Sequence, residues 1–328
     1  MNDPTSVTVI IPAYNAEAFI GRAIASVAAQ TLPPHEILIV DDCSTDGTRS
    51  VIEAAAKSNP LIKIIAMQRN GGPSVARNAA IDAANGTWLA ILDADDAFAP
   101  ARLAKLIPFA VETGADLVAD DLAYYDAAAS CVTGRGMGDE AAAVKGLVSL
   151  RDFLVHNLAS GEGLDWGLLK PIFRRSTLIE HGIRYEPDMR HGEDFRLVVE
   201  LLCRGAQFRL LSQPLYLYTQ RQGAVSGRSS GMTRTTIAYH ALRDAALALS
   251  RDPRLASDTE LVALLQLRAR GLGRLDDAHF ISKALRSAAL WQIAARSARD
   301  PSFFPYMLRH IGRAVRRRVS GSGRALSR

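Results

Sequence analysis

Apolar runs and helix-spaced apolar stripes alternate through the first 120 residues. Val7–Ile11, Glu36–Val40, Ile62–Ala66 and Trp88–Leu92 are short runs that predict buried strands. Between them, Ala18–Gln30 places Phe19, Ile20, Ala23, Ile24 and Val27 on one helical face. Thr48–Lys57, Ser74–Ala84 and Pro100–Glu112 carry similar helical patterns, the last with Pro near its start. Leu117–Ala119 predicts one more strand. Repeated strand–helix units imply an α/β fold, a mostly parallel sheet with helices on both faces.

The alternation stops near Tyr124. Residues 126–146 are rich in Ala and Gly and read as a loop or weak hairpin. Helices are expected over Leu150–Leu158, near Arg174–His181 and from about Glu193. Phe208–Leu211 and Leu215–Tyr218 read as two short strands. From Ser229 to about Val319 the pattern is helical, with a break at Gly271–Gly273.

In an open α/β sheet, ligands bind beyond the carboxyl ends of the strands. Four polar groups fall there: Pro12–Glu17, Asp41–Thr48, Arg69–Asn78 and Asp93–Asp96. Each has an ordinary alternative. Acidic residues stop strands and cap helices, Gly71-Gly72-Pro73 makes a turn, and Arg77 suits a helix surface. Their joint placement favours a shared crevice. The pair Asp93 and Asp95 at a strand end suits a hard divalent cation, which takes carboxylate, water and phosphate oxygens.

A dinucleotide-binding unit would need G-x-G-x-x-G in its first turn. Pro12-Ala13-Tyr14-Asn15-Ala16-Glu17 has no glycine and carries a carboxylate where phosphate would lie. There is no P-loop with its Lys either. A diphosphate is better held by a metal at Asp95 and by Arg77.

Composition adds exclusions. The chain has 328 residues, 48% hydrophobic and 22% charged, an ordinary globular balance. No run of about 18 apolar residues suggests a membrane span, and Met1–Pro4 lacks a secretory signal pattern. Cys43, Cys131 and Cys203 match neither a disulfide framework nor a zinc site. Residues 301–328 hold seven Arg and no Lys, Asp or Glu, so the remainder carries −2 of the net +5. Phe304, Met307, Leu308, Ile311 and Val315 share a helical face there, with Arg309, Arg313, Arg316 and Arg317 mostly elsewhere. This pattern suits an anionic membrane surface, a solubilising tail or a docked helix. The basic cluster is not interleaved with aromatics, which disfavours nucleic acid.

Val9–Asn15, Ile39–Thr48, Gly72–Asn78 and Leu92–Asp96 together resemble the family 2 glycosyltransferases of GT-A fold. The resemblance is close over residues 5–120 and looser to about 227. It implies a transferase domain over 1–227, with a nucleotide-sugar half (1–122) and an acceptor half (123–227). A helical region with a basic tail would fill 228–328. The donor would be a UDP-sugar. Pro12 and Tyr14 match base-pocket positions, with Glu17 in the same loop, and Asp42 matches the carboxylate that receives the uracil N–H. Cys43 departs from the Gly or Asn usual there. Arg77 matches a basic residue near the nucleotide, Asp93 the nucleotide-side position of D-x-D, Asp95 the ligand of Mg²⁺ or Mn²⁺, and Asp96 the turn.

His191-Gly192-Glu193-Asp194-Phe195 resembles the family's Glu-Asp motif. It implies Asp194 as general base and Glu193 as its acceptor-orienting neighbour. Without the resemblance, two acids in a first helical turn are ordinary. Arg221 or Ser226 would close over the diphosphate, and Trp166 would stack on a sugar or pack in the core. The processive enzymes' Q-x-x-R-W and membrane spans are missing, which implies single-sugar addition. The expected activity is inverting transfer of one hexose, glucose or galactose, from a UDP-sugar to a glycan, such as a lipid-linked exopolysaccharide repeat unit. The expected location is cytoplasmic, peripheral at the inner membrane face. Transfer to polyprenyl phosphate, and a non-catalytic nucleotide-sugar-binding protein, stay open as alternatives.

Overall fold

The computed structural model describes residues 3–137, 146–159, 164–220, 237–300 and 303–308. The chain divides into two compact units: residues 1–157 with 161–237, and 158–160 with 238–328. The expected boundary at 227/228 lies outside the described residues.

The first unit is built on a ten-stranded sheet. Its first half alternates β1 (Val7–Ala13), α1 (Ile20–Ala28), β2 (Glu36–Asp41), α2 (Thr48–Ser58), β3 (Ile62–Ala66), α3 (Pro73–Ala83) and β4 (Trp88–Ile91). These four strands pair in parallel in the order β3-β2-β1-β4. β1, β2 and β4 are buried almost throughout, as strands covered on both faces must be. In α1, Ile20, Ala23, Ile24 and Val27 form the buried face.

The strands β5 (Ala97–Phe98), β6 (Leu117–Asp126), β7 (Cys131–Arg135), β8 (Leu147–Val148), β9 (Ile172–Arg174) and β10 (Phe208–Gln220) complete the sheet. The helices α4 (Arg102–Glu112), α5 (Leu150–Val155), α6 (Arg175–Glu180) and α7 (Glu193–Leu202) flank them. β6 and β10 pair in parallel over ten residues of each strand. β5, β7, β8 and β9 are short and antiparallel to their partners.

Several expectations are corrected. β6 is much longer than Leu117–Ala119 and continues to Asp126. β10 is one strand, with irregular register around Pro214, which has no N–H for the ladder. β5 and β9 were not legible. β9 inserts between β4 and β6, antiparallel to both.

The second unit contains α8 (Tyr239–Leu249), α9 (Thr259–Arg286) and α10 (Leu290–Arg299). α9 runs straight through Gly271 and Gly273 instead of breaking there. A Cβ on Gly271 would lie 2.4 Å from the Leu158 carbonyl, so the glycine serves close packing. Ile281, Ala284, Ile293, Phe303 and Met307 form one core cluster of this unit. Residues 303–308 are helical, with Phe303 and Met307 buried and Phe304 and Leu308 exposed. The expected face therefore splits at its start, and Ile311, Val315 and all seven arginines of the tail lie outside the described residues. No helix among the described residues is long and apolar enough to cross a membrane.

Candidate functional site

The parallel half of the sheet brings its four carboxyl-end loops to one edge. The first two are stitched together. Asn15 Oδ1 accepts from the Thr45 amide at 2.8 Å, and Glu17 accepts from the Gly47 amide at 3.0 Å. Pro12 is half-buried and Tyr14 is exposed in the same loop. Asn15 and Cys43 both adopt positive φ, 48° and 64°. Gly and Asn tolerate that region better than Cys, so Cys43 carries backbone strain there.

Asp42 is buried and accepts from the amides of Gly71 and Gly72, both at 2.8 Å. Gly72 itself needs its φ of 84° to turn the third loop into α3. Burial raises the Asp42 carboxyl above the ordinary range, while the two amides and Arg190 oppose it. Asp42 thus anchors the Gly-Gly turn through both carboxylate oxygens.

Four other predicted residues, Arg77, Asp93, Glu193 and Asp194, meet in a second cluster. Arg77, buried on α3, donates to Asp93 Oδ1 at 2.8 Å and to Glu193 Oε1 at 2.7 Å. Its guanidinium lies 4.0 Å from Asp194 Oδ1 and 5.2 Å from the centre of the Tyr185 ring. Asn78 pins Tyr185 from both sides, accepting from its amide and donating to its carbonyl. Gly192, left-handed at φ 73°, starts α7 and directs Glu193 and Asp194 into its first turn. Burial works against the charge on Arg77, yet Asp194, Asp93 and Glu193 hold it firmly protonated.

Lys170 was not anticipated. It is buried, and its Nζ donates to Asp194 Oδ2 at 2.6 Å and contacts Asp93 Oδ2 at 2.9 Å. Burial lowers its pKa, but Asp194 and Asp93 outweigh that and push it well above the ordinary lysine range. For Asp93, burial disfavours ionisation, but Lys170 and Arg77 hold the carboxyl far below the usual carboxylate range. The only cue in the sequence was a lone Lys directly before the apolar run Pro171-Ile172-Phe173.

The acidic run itself is clasped to β10. Tyr216 Oη accepts from the Asp93 amide at 3.2 Å and donates to Asp96 Oδ2 at 2.8 Å. The Thr219 amide donates to Asp96 Oδ1 at 2.8 Å. Arg22 and the Thr219 hydroxyl both donate to the Asp95 carbonyl. Asp96 is therefore more than a turn residue. Burial, then Asp95 and Asp93, raise its pKa well above normal, against the pull of its two donors.

Asp93 and Asp96 thus have both oxygens engaged. Among the described residues, no three Asp, Glu, His or Cys side chains are grouped to hold a cation. The donor set fits Mg²⁺ or Mn²⁺ only where a bound diphosphate supplies further oxygens, with Asp95 as the protein's carboxylate. Trp166 is buried and stacks on His156, ring centres 3.8 Å apart, so it packs in the core. Arg221 and Ser226 lie outside the described residues.

The model of glycosyl transferase family 2 matches residues 8–129. The succinoglycan biosynthesis protein ExoU of Rhizobium meliloti (strain 1021) is 36% identical over 260 residues, covering 78% of this chain and 73% of ExoU. This chain belongs to glycosyl transferase family 2. The fold of this family 2 glycosyltransferase is also that of solved structures. S. aureus TarS 1-349 in complex with UDP-GlcNAc matches with a TM-score of 0.60 and 22% identity, over 81% of this chain and 71% of that one. Mannosyltransferase PcManGT from Pyrobaculum calidifontis, in complex with GDP-Man and Mn²⁺, matches with a TM-score of 0.50 and 20% identity, over 96% and 89%.

Proposed function

We propose that this glycosyltransferase moves a single hexose, glucose or galactose, from a UDP-sugar to a glycan acceptor with inversion at the anomeric carbon. The observation that carries this reading is the Arg77 bridge. It joins Asp93, the first carboxylate of D-x-D, to Glu193 of the Glu-Asp motif. Donor-side and acceptor-side residues thereby form one polar cluster. The role of ExoU in succinoglycan biosynthesis supports a growing polysaccharide unit as acceptor, here taken to be lipid-linked. The UDP-GlcNAc held by TarS supports UDP as the nucleotide.

Asp42 would receive the uracil N–H, with Pro12 and Tyr14 against the base and Glu17 bracing the second loop through Gly47. Arg77 would face the donor's negative charge, and Asp93 would position the ribose side. Asp95 would hold Mg²⁺ or Mn²⁺ against the diphosphate, where the ion offsets the charge of the departing UDP. The Mn²⁺ in PcManGT supports that cofactor. Asp194 would take the proton of the acceptor hydroxyl as it attacks, and Glu193 would orient that acceptor. A direct in-line displacement of UDP by that hydroxyl would invert the anomeric carbon. The cationic segment 301–328 would hold the enzyme at the inner membrane face, at roughly 1 kcal/mol per basic residue.

A thermal-shift panel of UDP-, GDP- and dTDP-sugars, with and without Mn²⁺, tests the donor. A UDP-hexose should stabilise the enzyme most, by about 2.7 kcal/mol at 100 times its dissociation constant. Asp95→Ala should remove the Mn²⁺-dependent part, and Asp194→Asn should abolish transfer while binding persists. Stabilisation by GDP- or dTDP-sugars alone would overturn the donor assignment. Full transfer by Asp194→Asn would overturn the base. Flotation with anionic liposomes, with and without residues 301–328, tests the membrane contact.

A further inference from the structure

We propose that Lys170 is a positioning residue for the transfer step: its ammonium fixes the Asp194 carboxylate beside Asp93 through Oδ2 and leaves Oδ1 to meet the acceptor hydroxyl. This rests on the reading of Asp194 as the base. The argument begins with strand register. β9 runs antiparallel to β4, with Trp88 opposite Arg174 and Ala90 opposite Ile172. Carried two residues further, that register sets Lys170 opposite Leu92, next to Asp93. An antiparallel insertion therefore delivers a lysine to the carboxyl end of a parallel strand. Pro171 follows it and biases Lys170 toward extended backbone.

The backbone of Lys170 is anchored as well. Arg102 donates to the Lys170 carbonyl at 2.7 Å. The same guanidinium pairs with Asp120 at 2.7 Å and lies against the Phe98 and Tyr216 rings, 4.3 and 5.2 Å from their centres. Arg102 and Asp120 are both fully buried. A rigid chain thus runs from Asp120 through Arg102 and Lys170 to Asp194. It involves neither of the two loops that would hold the base of the nucleotide.

Removing the ammonium would act unequally on its two partners. Asp93 keeps its 2.8 Å contact with Arg77. Asp194 keeps only the 4.0 Å approach of Arg77 to Oδ1. The donor side stays tethered while the Asp194 carboxylate is free to turn. A small misplacement of a reacting group costs about 100-fold in rate.

The test compares Lys170→Met, Lys170→Ala and Asp194→Asn with the parent enzyme. UDP release is followed from UDP-glucose or UDP-galactose, whichever the parent turns over. Lys170→Met should lower kcat about 100-fold. Its KM for the donor should stay within about threefold, a split that a general loss of structure would not produce. Methylamine or ethylamine should restore part of the kcat of Lys170→Ala, whose missing side chain leaves room for an ammonium. The same amines should leave Lys170→Met unchanged. A parental kcat in Lys170→Met, a loss confined to donor KM, or a kcat loss that no amine restores would each overturn the proposal. If neither variant folds, Lys170→Arg decides: reduced kcat at unchanged donor KM supports it, and parental kcat overturns it. Asp194→Asn separates the two readings. Full activity in that variant defeats the base assignment, whereas an inactive Asp194→Asn beside a fully active Lys170→Met defeats only the role of Lys170.

Discussion

Arg77 and Glu193 are 116 residues apart in the chain and 2.7 Å apart in the fold. With Asp93, Asp194 and Lys170 they form a buried lattice of two cations and three carboxylates. Removing Arg77 leaves three carboxylates around Lys170 alone, and Glu193 without its ion pair. Arg77→Met should therefore destabilise the first unit by about 3–5 kcal/mol. Arg77→Lys keeps the charge but cannot reach Asp93 and Glu193 with two separate nitrogens, so it should recover only part of that loss. Chemical denaturation of the three proteins measures both.

The Tyr216 hydroxyl links two residues of the acidic run, accepting from the Asp93 amide and donating to Asp96. Tyr216→Phe keeps the ring against Arg102 and Phe98 but leaves both polar groups short of a partner. A cost of about 1–3 kcal/mol is expected in urea unfolding. Metal-dependent UDP-sugar affinity should weaken too, because Asp95 sits between the two groups that Tyr216 holds.

Burial raises the Asp42 carboxyl, against the pull of the Gly71 and Gly72 amides. If Asp42 receives the uracil N–H as proposed, only its ionised form would accept it well. On the proposed role of Asp42, nucleotide affinity should decline as pH falls through the raised pKa, starting above the usual carboxylate range. Titration calorimetry with UDP from pH 7.5 downward should show this. In Asp42→Asn the affinity should be low and should lose that acid-side dependence.

Cys43 pays for its φ of 64° because its β-carbon crowds the following carbonyl. Cys43→Gly should raise stability by about 0.5–1 kcal/mol, the relief being partly offset by the greater freedom of glycine in the unfolded chain. UDP affinity should not change. Thermal melts of parent and variant, with and without UDP, check both statements.

The sequence determined the parts of this enzyme whose cause is local. The apolar runs of β1 to β4 must be buried, the helical stripes between them must cover the sheet, and parallel strands must then gather their polar loops at one edge. Asp42, Arg77, Asp93, Asp95, Glu193 and Asp194 were therefore singled out from the sequence, through their loops or their family motif. The tertiary structure alone decided which of them touch. β9 is three residues long and has no signal stronger than its neighbours, yet its insertion between β4 and β6 carries Lys170 to Asp93 and Asp194. Gly271 reads as a helix break in isolation but lies inside α9, where the Leu158 carbonyl needs its missing side chain. Asp96 looked like a turn because its partners, Tyr216 and Thr219, lie more than 100 residues further along. Local propensity acts over a few residues, whereas a buried charge is satisfied by whatever the topology brings near it, and that pairing is written in no single stretch of chain.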